Sequence, residues 1–228
     1  MRALALGLLG APAGGAWGQL LGRRPAQMPP DQSIYRLSGD VRVNGAPATL
    51  QTRVRPGDTV ETGEGAEVIF VLGGHSMILR GRSSLLIEPQ PERPGSLLAA
   101  GLRLLAGALL SVSRNQRMRL RTANATIGIR GTGWYAEAQP ELTYFCTCYG
   151  IAEIAAAADP ASSQTVEAKQ HDRPLYVASG APLGGAIRNA PFINHTDQEL
   201  ALIEALVGRT PPFVLPADQY RGPRRGYR

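Results

Sequence analysis

Residues Thr122 to Trp134 read Thr-Ala-Asn-Ala-Thr-Ile-Gly-Ile-Arg-Gly-Thr-Gly-Trp, the one stretch where β-branched residues, three glycines and a single arginine interlock. Ile127 and Ile129 suit a pleated, buried surface. Gly128, Gly131 and Gly133 can adopt positive φ or let a second backbone come close. The stretch therefore predicts a built corner between two strands.

Working outward, short strands recur about every ten residues from Ser38 onward, the spacing of a sandwich, barrel or β-solenoid. Val41 to Val43 ends at Asn44-Gly45, a strong hairpin pair, and Gly73-Gly74 marks a second turn between Glu67 to Leu72 and Ser76 to Arg80. After the break at Glu88-Pro89-Gln90-Pro91, Leu97 to Leu105 and Ala108 to Ser113 read as two further strands. Arg117 to Arg121 alternates strictly, which points Met118 and Leu120 to the core and three arginines outward. That arginine row is a solvated strand face, a guard against edge pairing, or a surface for an acidic partner. Leu142 to Tyr149, Ile151 to Ala156, Thr165 to Ala168 and Leu175 to Val177 complete the β region.

The pattern Thr122-Ala-x-Ala-x-x-Gly128-Ile-Arg130-Gly131-Thr132-x-Trp134 resembles the T-P-x-A-x-x-G-V-R-G-T-x-F signature of the FecR domain, the extracytoplasmic module of iron-citrate-type regulators. Gly39-Asp40-Val41, Pro56-Gly57-Asp58-Thr59-Val60-x-Thr62-Gly63 and the run from Ala66 through Ser76 to Leu86 are similar to the family's upstream strands, so the likeness spans about Gly39 to Val177. Gly73-Gly74-His75 stands in place of an Asp-Gly turn, Ala123 in place of the proline and Trp134 in place of phenylalanine. The resemblance implies an all-β fold, a twisted β-solenoid or sandwich-like FecR domain, with Gly128, Arg130, Gly131, Thr132 and Trp134 as its structural motif. It also implies sensing or scaffolding in the cell envelope through contact with an outer-membrane receptor or another envelope protein. Regulators of that family carry a cytoplasmic anti-sigma segment and one membrane span, and neither pattern is read here. A transmembrane anti-sigma role is accordingly not expected.

Around this body the chain divides by composition. Residues 1–18, with Arg2, the apolar run Ala3 to Leu9 and the small-residue exit Ala16-Trp17-Gly18, read as a secretory signal peptide. Residues 19–37 form a Pro-rich spacer, 38–178 the FecR-like β domain, and 179–228 a linker, one helix and a basic tail. The helix is expected over 196–207: Thr196-Asp-Gln-Glu199 is a capping box, and Leu200, Ile203, Leu206 and Val207 make one apolar stripe. The expected location is periplasmic or secreted, with no transmembrane segment after signal removal. The tail from Arg221 is expected to be disordered, and it could meet an anionic glycan or lipid.

A hydrophobic content of 43% with 18% charged residues excludes disorder throughout. Part of the net charge of +6 sits in the signal, spacer and tail. With no helix-turn-helix, zinc-finger spacing or aromatic stacking strand, nucleic acid is not an expected partner. No nucleophile elbow, phosphate loop or His-Glu-x-x-His is present, and Glu137, Glu141 and Glu153 are isolated carboxylates. The reading is of a non-enzyme.

One constellation carries chemistry, Cys146-Thr-Cys148. Residues two apart on a strand share a face, which sets the two α-carbons about 6.6 Å apart, near the limit for a disulfide. Three readings stand open: buried thiols or a strained structural bridge, a redox-active pair, or a metal pair completed by His171 and His195. The last would hold zinc or another soft metal ion and would tie the helix to the β body. The sequence thus frames an exported binding, sensing or scaffolding module, and alternatively a metal- or thiol-dependent site protein.

Overall fold

The computed structural model describes residues 25–29, 32–90, 99–180 and 185–213, without the side chains of 114–116. The signal peptide, the tail and parts of the spacer and linker lie outside the described residues.

Short strands come first: β1 Ile34–Ser38, β2 Val41–Val43, β3 Ala46–Pro47, β4 Thr59–Thr62, β5 Glu67–Leu72, β6 His75–Leu79 and β7 Ser83–Pro89. Three long strands follow, β8 Ala99–Arg121, β9 Ala125–Ala138 and β10 Leu142–Ala156. β11 Ser163–Ala168, β12 Leu175–Ala178, β13 Ile187–Asn189 and the helix α1 Asp197–Leu206 complete the described chain. The strands form one antiparallel sheet in the order β13-β12-β10-β9-β8-β7-β4-β2-β3, with β1 and β5 joined through β6 and β11 on β10. The fold is all-β with one appended helix, as the sequence predicts, and the sheet is not closed. Asn44 and Gly45 both take positive φ, 53° and 77°, in the predicted β2–β3 hairpin.

The strand divisions need correction. The described part of the predicted strand Leu97 to Leu105, from Ala99 on, together with Ala108 to Ser113 and Arg117 to Arg121, is not three strands but one, β8, and Leu142 to Tyr149 and Ile151 to Ala156 run through β10. The stretch Thr122 to Trp134 opens on the turn between β8 and β9, where the Thr122 amide donates to the Ala125 carbonyl at 3.0 Å, while its glycines lie in a bend inside the continuous β9. Its physical basis is a change of parity. In β9 the inward residues are Ile127 and Ile129, then Trp134 and Ala136, and Gly131 between them has φ +63°. In β10 they are Phe145, then Ala152 and Ile154, with Gly150 at φ +87° between. In β8 they are Leu102 and Leu104, then Leu109, with Gly107 at φ +86° between. Such bulges add a residue and turn the strand while keeping its apolar face inward. The glycines at 107 and 150 are also sterically required. A β-carbon would fall 2.0 Å from Ser83 Oγ at the first and 2.6 Å from the Gly131 carbonyl oxygen at the second.

Curling brings the two ends of β8 together, where Arg103 and Arg121 both bond Glu88 Oε1, at 3.0 and 3.2 Å. The sheet's inner face encloses the main core, built on Phe70, Leu85, Leu102, Trp134 and Phe145. Part of its outer face is apolar too: Ile69, Ile78, Leu110, Val112, Tyr135 and Tyr144 form a second core. Helix α1 covers that face with Leu200, Ile203 and Leu206. Its capping box is complete, Thr196 taking the Glu199 amide and Glu199 bonding back to the Thr196 amide. The second core is where the chemistry sits.

Candidate metal centre

Cys146 lies in the regular part of β10 and Cys148 at its first register shift, where β9 offers no residue opposite; both face the second core, and both are fully buried free thiols. His171 follows β11 in a turn capped by Asp172, whose Oδ2 accepts the amides of Lys169 and Gln170 at 2.5 and 3.3 Å. Those two bonds hold the Asp172 carboxyl below its ordinary range. His171 itself has φ +53° and gives its amide to the Cys148 carbonyl at 2.9 Å, which aims the ring at the sulfurs. His195 enters from the other side, after Asn194 at φ +59° and just before the cap of α1. A left-handed residue thus sets each histidine in place, a costly conformation away from glycine.

The structure brings all four predicted residues together, with donor atoms within 4.8 Å of one another. Cys146 Sγ is 3.5 Å from His171 Nδ1, Cys148 Sγ is 3.4 Å from His195 Nε2, and the two imidazole nitrogens are 3.1 Å apart. A tetrahedral site with metal–sulfur bonds of about 2.3 Å and metal–nitrogen bonds of about 2.0 to 2.1 Å has sulfur–nitrogen edges of about 3.5 Å and nitrogen–nitrogen edges of about 3.3 Å. The two sulfur–nitrogen contacts and the nitrogen–nitrogen contact have those lengths, and the remaining donor separations, none above 4.8 Å, would close further around an ion.

The far side of each ring is fixed. His171 Nε2 pairs with Asp197 Oδ1 at 2.8 Å, and Gln170 Nε2 donates to the other carboxylate oxygen at 2.7 Å. His195 Nδ1 meets the Ile193 carbonyl at 2.6 Å. These partners select the tautomers that leave His171 Nδ1 and His195 Nε2 as donors toward a metal. Rings close the walls: Tyr135 stacks on His195 at 4.5 Å, and Phe192 lies 4.5 Å from His171 and 4.6 Å from His195.

Electrostatics follow the packing. The Cys148 thiol, His171 and His195 surround Cys146 and pull its thiol down to about 4, against the opposing effect of burial. Burial pushes Cys148 the other way, well above an ordinary thiol, and the Cys146 thiolate beside it adds to that. Burial alone would lower His171, but Asp197 and the Cys146 thiolate outweigh it and lift the imidazole to about 9. Burial would raise Asp197, but His171 outweighs it and keeps the carboxyl below its usual range.

Sequence reasoning did not identify Asp197, Phe192 or Ile193 as parts of the centre. Asp197 carried a signal, lying two residues past His195 in the first turn of the predicted helix; the others carried none. Arg130 is exposed, and among the described residues it bonds neither a turn carbonyl nor Glu137. Glu137 instead accepts from the Tyr135 hydroxyl at 2.7 Å and from Asn194 Nδ2 at 2.6 Å. Gly131 forms the bulge, Gly133 leaves room for the Tyr149 ring, and Gly128 has only ordinary contacts. Thr132 and Trp134 are buried in the main body, and Trp134 stacks on Phe145 at 6.0 Å.

No family model matches the chain, and no curated protein matches it. Two crystal structures of a candidate anti-sigma factor from Parabacteroides distasonis, at 1.65 and 2.50 Å resolution, are similar to it with a TM-score of 0.45 and 16% identity. The alignment covers 58% of this chain and 58% of that one. A likeness this loose carries no argument. The FecR resemblance rests on the motif residues, and the centre on its own geometry.

Proposed function

We propose that this chain is a non-catalytic binding or sensing module of the bacterial cell envelope, periplasmic or secreted, in which a zinc-class ion on Cys146, Cys148, His171 and His195 fastens helix α1 to the β body. One observation carries the metal reading: four buried or nearly buried donors converge within 4.8 Å, their three closest contacts have tetrahedral edge lengths, and both imidazoles are held from behind by acceptors. Four protein ligands make a closed, structural site. The FecR-like motif supports the sensing role and the expectation of an envelope protein or outer-membrane receptor as partner.

A second reading, a reactive thiolate–imidazolium pair, draws on the 3.5 Å contact between Cys146 and His171. Burial argues against it, since both sulfurs are inaccessible to a substrate. In an oxidising compartment, two thiols side by side also persist best when a metal holds them.

Metal analysis of the purified protein tests the proposal, with cobalt substitution as the second readout. One zinc-class ion per chain and a cobalt form with tetrahedral, thiolate-ligated absorption are expected. Metal-free protein that takes up neither ion, with thiols that titrate rapidly in the folded state, would sink it. For the location, protein from the periplasmic fraction should begin near Gln19, and an intact Met1 there would contradict export.

A further inference from the structure

On the outer face of the sheet three arginines gather, with the carboxylate of Glu153 in register beside them. Several arginines elsewhere pair with carboxylates: Arg36 with Glu67, Arg82 with Glu64, Arg103 and Arg121 with Glu88. Arg117, Arg119 and Arg130 are exposed and meet no carboxylate among the described residues. Arg117 stands directly opposite Arg130 across β8 and β9, a like-charge pair that destabilises a sheet. Arg119 faces Gly128, and across Gly128 on β10 stands Glu153, which leaves three arginines against one carboxylate on this face.

The ribbon continues toward an apolar spot. Leu105, 55% exposed, shares a cavity of about 400 Å³ with Arg103, Arg121, Thr122 and Ala123. Gly101 links the two regions: a β-carbon there would fall 2.9 Å from both the Arg119 carbonyl oxygen and Glu88 Oε2.

We infer that this face binds an extended acidic segment of a partner protein, with carboxylates on Arg117, Arg119 and Arg130 and one apolar side chain against Leu105. Arg117 and Arg119 repeat at the two-residue spacing of a strand, about 6.6 Å, which is also the spacing of side chains on one face of an extended peptide. A carboxylate between Arg117 and Arg130 turns a repulsive pair into a bidentate clamp. A membrane surface fits less well, because it needs a broad apolar area to insert, whereas this ribbon offers a single exposed leucine. The inference rests on the reading of the chain as a binding module and is independent of the metal.

The test uses the full chain as purified and a labelled peptide alternating glutamate and serine after one leucine. A glutamine-for-glutamate peptide and phosphatidylglycerol vesicles are the comparison arms. Binding of the acidic peptide, weakened by salt and reduced about tenfold or more by the double change Arg117→Glu with Arg130→Glu, is expected. If that variant does not fold, Arg119→Gln replaces it, with a several-fold loss expected. Equal binding of the glutamine peptide, no effect of the substitutions, or binding of the vesicles alone overturns the inference. Those failures leave the metal reading intact, because zinc content is measured separately.

Discussion

His171 Nδ1 and His195 Nε2 stand 3.1 Å apart although the chain delivers them from opposite directions, one from a turn after β11 and the other from the residue before the α1 cap. An ion between them would be a cross-link between sheet and helix. Zinc should therefore raise the thermal midpoint, by the equivalent of about 2.7 kcal/mol at a hundredfold excess over its dissociation constant. His195→Ala should abolish that response. A zinc-independent midpoint in the wild-type chain would count against the centre.

Asp197 acts through His171, so its removal should show in affinity before stability. Asp197→Asn is expected to weaken zinc binding about 10- to 100-fold in a competition titration. The neighbouring Thr196→Ala serves as control: it should cost about 1 kcal/mol through the lost cap while leaving affinity nearly unchanged. Equal affinity losses in both would mean that helix fraying, not imidazole orientation, is being measured.

The metal-free centre has a distinctive pH signature. Cys146, lowered to about 4, contributes stability that is present at high pH and lost as pH falls toward 4. His171, raised to about 9 from 6.5, contributes stability present below 6.5 and lost as pH rises through 9. The two oppose each other between about 6.5 and 9. Cys148, raised by burial, adds a loss above that range. Denaturant unfolding of metal-free protein should thus strengthen from about pH 4 to 6.5, level off, and weaken above about 9. Cys146→Ser should remove the acid limb. With zinc bound, the plateau should instead slope upward with pH, because the Cys148 and His171 protons must leave.

Much of this was legible in the sequence. Asn44-Gly45, the capping box at Thr196 and the two-residue spacing of Cys146 and Cys148 each determine local geometry through their own chemistry, and each reads directly. The long strands did not, because alternation breaks at Gly107, Gly131 and Gly150 and a break in alternation looks like a strand end. The second core was hidden for a related reason: Tyr144, Cys146 and Cys148 read as one face of a strand, but only the folded sheet shows that α1 covers that face. The role of Arg130 was not legible, because it is exposed and the bend beside it needs only the φ of Gly131.

Gly131 and Gly133 should fail differently. Gly131 has φ +63°, and a β-carbon there would meet no atom within 4 Å, so Gly131→Val should cost about 1 to 3 kcal/mol through the backbone alone. Gly131→Asn should cost less, since asparagine tolerates that region. At Gly133 a β-carbon would come 2.4 Å from Tyr149 Cε1, and the Tyr149 hydroxyl is bound to Glu204. Gly133→Ala should therefore also loosen the helix, seen as faster amide exchange in α1. Identical behaviour of the two sites would contradict the assignment of bulge to one and ring contact to the other.

The far end of α1 has a latch of its own. Glu204 is fully buried, accepts from the Tyr149 hydroxyl, and pairs with Arg209 Nε at 2.7 Å, while Arg209 Nη1 reaches the Gly74 carbonyl at 3.1 Å in the β5–β6 turn. Arg209→Ala leaves the carboxylate without its cation and should cost about 3 to 5 kcal/mol, whereas Glu204→Leu with Arg209→Met should be close to neutral. The apolar stripe gives a reason to expect that latch and metal matter jointly. Burying Leu200, Ile203 and Leu206 supplies about 1.5 to 3 kcal/mol each. Ordering the backbone of a ten-residue helix costs about 1 to 2 kcal/mol per residue, offset only in part by its own hydrogen bonds. With the centre holding one end and Glu204 the other, chelation or Arg209→Ala alone should leave the α1 amides partly protected from exchange. Both together should expose them while the β8–β9–β10 amides stay protected. Full protection after both changes would show that the stripe suffices, and loss after chelation alone would assign the whole clamp to the metal.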